Sequence, residues 1–127
     1  MACNENYCDI DAENTFEGEP VTRPEEYGII VANVSRPERL AQLAEECAEL
    51  GQAALKLRRA ITGENPTPMS EAIAEHILCE EIADVLTCLE VAGDYILRVS
   101  AQEYIETVKK HKYARWAKRV SGKDGGQ

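Results

Sequence analysis

Glu46-x-x-Glu49 and Glu81-x-x-Asp84 place four carboxylates, in two pairs, on two long segments with helical periodicity. A three-residue offset on a helix puts both members of a pair on one face. Converging carboxylates hold a hard divalent cation, and oxygen-only ligation without His or Cys suits Mg²⁺ or Mn²⁺ rather than zinc or copper.

The spacing lets the two pairs meet. The midpoint of Glu49 and Glu81 is position 65, which is also the midpoint of Glu46 and Asp84. That position lies in Thr62-Gly63-Glu64-Asn65-Pro66-Thr67-Pro68, whose Gly, Asn and two prolines cannot continue a helix. An antiparallel helix pair folded about this turn is expected to set Glu49 level with Glu81 and Glu46 level with Asp84.

On a helical wheel of about 100° per residue, Ala74, Ile77, Leu78, Val85, Cys88, Ala92 and Tyr95 fall within roughly 60° of Glu81. Glu81 therefore sits in the middle of an apolar arc, with Asp84 at its edge. An ionised carboxylate there loses several kcal/mol of hydration unless a cation or hydrogen-bond donors compensate. Glu46 lies beside the margin of the Leu43, Leu50 and Leu57 side, and Glu49 lies further round. Glu45 points away and is read as solvated, as are Glu80 and Glu90; His76 and His111 have no evident partners.

The elements that must position these acids can be read from caps and stripes. Ser35-x-x-Glu38 is a capping box before Leu40, Leu43, Cys47, Leu50, Ala54 and Leu57, which predicts a helix over 36–61. A second helix is expected from Pro68 or Ser70 to Leu97 or Val99. A third opens at Ser100-x-x-Glu103 and continues through Tyr104, Ile105, Val108, Lys112 and Trp116 until Gly122. Residues 25–34, apolar around Ile29, Ile30, Val31 and Val34, read as a short helix or an extended lead-in. The expected organisation is an acidic flexible arm over 1–28, an all-α domain over 29–121 and a loose Gly-rich tail over 122–127. Three long helices do not close a four-helix core, so a second chain or the short lead-in segment is expected to complete it, with a homodimer or homotetramer as the expected assembly.

Composition narrows the class. At 127 residues the chain suffices for one domain with a core. It carries no apolar run long enough for a membrane and no basic-then-apolar leader, so a soluble cytoplasmic protein is expected. Five cysteines without a Cys-x-x-Cys spacing suggest reduced thiols and argue against zinc. The net charge of −9 is concentrated in the N-terminal arm, while Lys109, Lys110, Lys112, Arg115, Lys118, Arg119 and Lys123 make the far end basic. Without a recognition module, that patch in a net acidic chain suits a small anionic ligand better than stable nucleic-acid binding.

The local contexts Leu43-Ala44-Glu45-Glu46-Cys47-Ala48-Glu49-Leu50 and Glu80-Glu81-Ile82-Ala83-Asp84-Val85-Leu86 resemble the MazG-like all-α nucleoside triphosphate pyrophosphohydrolases, over roughly residues 36–119. The resemblance implies Mg²⁺ ligands at Glu46, Glu49, Glu81 and Asp84. It also implies cleavage of a nucleoside triphosphate to monophosphate and pyrophosphate; the superfamily includes dUTP and dCTP hydrolases and phosphoribosyl-ATP pyrophosphohydrolase. The gap between the two acidic halves is longer here than usual.

Substrate contacts are expected from Lys109, Lys112 and Arg115, which share a helical face, with Lys56 as a further candidate; a solvated basic face is the other reading. Trp116 either stacks on a base or belongs to a core or interface. Two alternatives compete with the hydrolase: a di-iron carboxylate protein, which would need Glu-x-x-His motifs that neither His76 nor His111 supplies, and a non-catalytic helical interaction module.

Overall fold

A computed structural model describes residues 23–64, 68–93 and 99–122. Four α-helices and no strand occur among the described residues: α1 (Glu25–Asn33), α2 (Arg36–Thr62), α3 (Glu71–Ala92) and α4 (Val99–Val120). The chain is therefore all-α, as its periodicity indicates. No described helix is long and apolar enough to cross a membrane.

Local chemistry sets most helix ends. Ser35 leaves the helical region and its Oγ accepts from the Glu38 amide at 3.4 Å, with Pro37 tolerated in the first turn where no amide donor is needed. Gly63 stops α2 in the left-handed conformation at φ 70°, and its amide donates to the Arg59 carbonyl at 2.8 Å. Beyond it, Arg58 meets the Glu64 carboxylate at 3.2 Å. Ser70 starts α3 by accepting from the Ile73 amide at 3.2 Å. The turn between these caps includes residues 65–67, outside the described set.

Two expected boundaries move. The helix expected to reach Leu97 or Val99 ends at Ala92, because Gly93 departs from helical angles at φ −120° and ψ 73°. Tyr95 and Ile96, which extended the apolar stripe on paper, lie outside the described residues. Ser100 is inside α4 rather than capping it, since the helix already includes Val99. The undecided segment at 25–34 is helical, and α1 begins at Glu25, within the stretch read as arm. Residues 1–22, with Cys3 and Cys8, and residues 123–127, with Lys123, are outside the described set.

α2 and α3 pack lengthwise as an antiparallel hairpin, α1 touches α3 more briefly, and α4 runs along none of the other three. The α2 seam is Arg39, Leu43, Glu46, Leu50, Ala53, Leu57 and Ala60, in alternating four- and three-residue steps. This corrects the stripe read through Leu40, Cys47 and Ala54, which are exposed. Both registers contain Leu43, Leu50 and Leu57, so hydropathy did not separate them. Ala53 of α2 and Ala74 of α3 are small, buried seam residues about one turn out of level with each other. The α3 seam follows Ala74, Leu78, Glu81, Val85, Cys88 and Ala92.

Arg39 is a buried cation at the head of α2, 6 % exposed. One of its guanidinium nitrogens donates to the carbonyls of Val34 at 2.6 Å and Val31 at 3.3 Å. It thus satisfies the C-terminal carbonyls of α1, whose last turn holds no basic residue, and fixes the bend into α2.

Candidate metal centre

The seam registers bring acids where a bundle normally places leucine. Glu46 and Glu81 are both half-buried seam residues, and Asp84 lies one turn beyond Glu81 on the exposed edge. One ligand atom from each of the three lies within 4.8 Å of the others. Oxygens on opposite sides of a single Mg²⁺ are about 4 Å apart, so side-chain adjustment below roughly 1 Å would let all three share one cation.

Glu81 shows the electrostatic state of the group. Its Oε2 is sealed from solvent and has no hydrogen-bond partner. Burial pushes its carboxyl above the ordinary range, and the negative charges of Glu49, Asp84, Glu46 and Glu80, in that order, push it further. A sealed carboxylate oxygen without a donor is costly, and a cation would remove both the desolvation and the repulsion. The donor set consists of hard oxygens, which fits Mg²⁺ or Mn²⁺.

Glu46 is deeper than its expected place at the margin of the stripe, because the seam passes through it. Its Oε1 accepts from the Gln42 amide at 2.6 Å. Gln42 thus orients the carboxylate from one turn away; the i,i+4 spacing is visible in the sequence, yet the pair was not among the expected site residues. Glu49 stays outside the group of three, although it is the nearest in effect of the charges acting on Glu81. Glu45 is exposed, as expected. The Cys88 thiol, buried on the α3 seam, is raised by burial and then by Glu46, Asp84 and Cys47, so the acidic field reaches the adjoining core.

The expected cations are placed elsewhere. Lys56 is half-buried on α2, about 15 Å of helical rise from Glu46. Lys109, Lys112 and Arg115 are exposed on α4, and Lys109 donates to Glu106 at 3.0 Å, a bond that holds its ammonium above the usual lysine range. Trp116 on the same helix is 64 % exposed. Because α4 packs along neither helix of the hairpin, the structure of one chain does not bring these four to the carboxylates. His76, read as partnerless, meets Glu80 at 3.2 Å on the exposed side of α3, and no histidine joins the acidic group.

Compared with known proteins, the chain matches no family model, no curated protein and no solved structure.

Proposed function

We propose that the protein hydrolyses a nucleoside triphosphate, a deoxynucleotide or non-standard one, to monophosphate and pyrophosphate at a Mg²⁺ site held by Glu46, Glu81 and Asp84. The observation that carries this reading is the sealed, donorless Oε2 of Glu81 among four further acids, an arrangement that costs stability unless it holds a cation. The resemblance of both acidic contexts to the MazG-like pyrophosphohydrolases supplies the reaction class.

When bound, Mg²⁺ withdraws charge from phosphate oxygens and favours ionisation of an attacking water. The chain's own groups have separable tasks. Glu46, Glu81 and Asp84 would hold the cation, and Gln42 restrains the Glu46 carboxylate through its hydrogen bond. Glu49, exposed beside the group, is available to orient the water that attacks the α-phosphorus. The bond to the β-phosphate then breaks, pyrophosphate leaves, and the water's proton passes to solvent. Lys109, Arg115 and Lys56 are the candidates for neutralising the remaining oxygens. A soluble cytoplasmic homodimer or homotetramer belongs to the same proposal.

The test is a panel of nucleotides with Mg²⁺ and identification of the products. Monophosphate and pyrophosphate in equal amounts are expected from at least one of them. Orthophosphate alone, or no turnover with any, overturns the proposal. A non-catalytic helical module is the second reading, favoured by the absence of Lys and Arg among the charges acting on Glu81. Glu81→Leu separates the two: the enzyme loses turnover by at least ~100-fold together with its Mg²⁺-dependent thermal shift, whereas the module only gains stability.

A further inference from the structure

Two faces of this chain are bare and match each other. Beside its seam, α3 carries Ile82 and Leu86, 40 % and 55 % exposed, with the half-buried seam residue Leu78 and the half-buried Leu89 flanking them in helical steps. At the N-terminal end of that stripe, Glu71 and Glu75 continue the same face. α4 presents Ile105, Val108, Lys112, Trp116, Arg119 and Val120 along one side, and it runs along no other helix of its own chain. α3 contains six acids and no Lys or Arg, while α4 contains six Lys and Arg against two acids.

We propose that α4 is exchanged between two copies of the chain, each lying antiparallel along the bare stripe of the other's α3. The antiparallel sense follows from charge and hydropathy together. It sets Lys112 and Arg119, toward the end of α4, against Glu71 and Glu75 at the start of α3, and it sets Ile105 and Val108 against the apolar remainder of the stripe. A two-fold axis forms this contact twice, so one self-complementary pair of faces covers both chains. The occupant is a second copy because α4 runs along no helix of its own chain and its charge is opposite to that of α3. The inference does not depend on catalysis, since an inactive chain would assemble in the same way.

Trp116, the one tryptophan of the sequence, reports on the contact. In sedimentation velocity over a dilution series, the full chain is expected to run as a dimer whose Trp116 emission shifts to the red as it dissociates. Lys112→Glu with Arg119→Glu in one variant, and Glu71→Lys with Glu75→Lys in another, should each raise the dimer dissociation constant about 10-fold or more, because like charges then face each other. Mixing the two should restore a dimer containing one of each, resolved by native mass spectrometry, since both contacts in the mixed pair are again opposite in sign. A wild-type chain monomeric at high concentration overturns the proposal, whether its Trp116 is buried by folding back on its own α3 or remains in water. Self-association of either variant as tight as wild type, or no preference for the mixed pair, overturns it as well. The dilution series stands alone should either variant lose its helical circular dichroism.

Discussion

Glu81 unites burial and like-charge repulsion in one carboxyl, and the sign of its pH dependence follows. Its value in the folded chain is raised, so the folded state keeps a proton that the unfolded state has already released in the ordinary carboxylate range. In chelator, the contribution of Glu81 to stability is therefore most favourable below that range and is lost as pH rises toward the raised value. Urea midpoints between about pH 4 and pH 7 should fall with pH for wild type and fall less for Glu81→Gln. Saturating Mg²⁺ should reverse the slope, because cation binding needs the ionised form. Arg39 is the second residue with a large local role. Arg39→Met removes both bonds to the α1 carbonyls and should cost about 1.5–3 kcal/mol in urea unfolding, near the range for bonds to charged donors.

Small buried side chains line the contact between α2 and α3. Ala53 is 4 % and Ala74 1 % exposed, so a larger group at either place must push the helices apart. Ala74→Leu should destabilise by about 1–3 kcal/mol in urea and weaken Mg²⁺ binding, since the displaced seam also carries Glu46 and Glu81. Caps act on a smaller scale. Ser70→Ala removes the acceptor for the Ile73 amide and should cost about 1 kcal/mol without altering the cation affinity of the chain. Isothermal titration with Mg²⁺ distinguishes the two substitutions, because only the first moves the acids.

At the scale of the whole molecule, the described helices bury little apolar side-chain bulk. Among the described residues the buried apolar ones, Ala53, Ala74, Cys88, Val91, Ala92 and Ala101, are all small or medium, while Ile29, Leu55, Ile61, Tyr104, Tyr113, Trp116 and Val120 are each more than half exposed. A core of that size leaves a small domain marginal. Association would cover part of this surface and add stability by mass action, so the thermal midpoint should rise with protein concentration. Differential scanning calorimetry across a 100-fold range, a span expected to contribute a few kcal/mol by mass action, measures it. A midpoint independent of concentration would mean that one chain is the folding unit.

The sequence by itself determined the all-α class, the cap at Ser35, a helix start near Ser70, the end of α2 at the Gly63 breaker and the improbable apolar-side place of Glu81. These are legible because caps, breakers and hydrophobic period act over a few residues. Tertiary structure decided the rest. Two registers of α2 share Leu43, Leu50 and Leu57, and only packing against α3 chose the one that carries Glu46 and Ala53 on the seam. Arg39 gave no local signal, since its partners are carbonyls whose direction depends on the bend between α1 and α2. The basic face of α4 was legible as a face, but where it lies depends on contacts between elements, which no periodicity within one helix encodes.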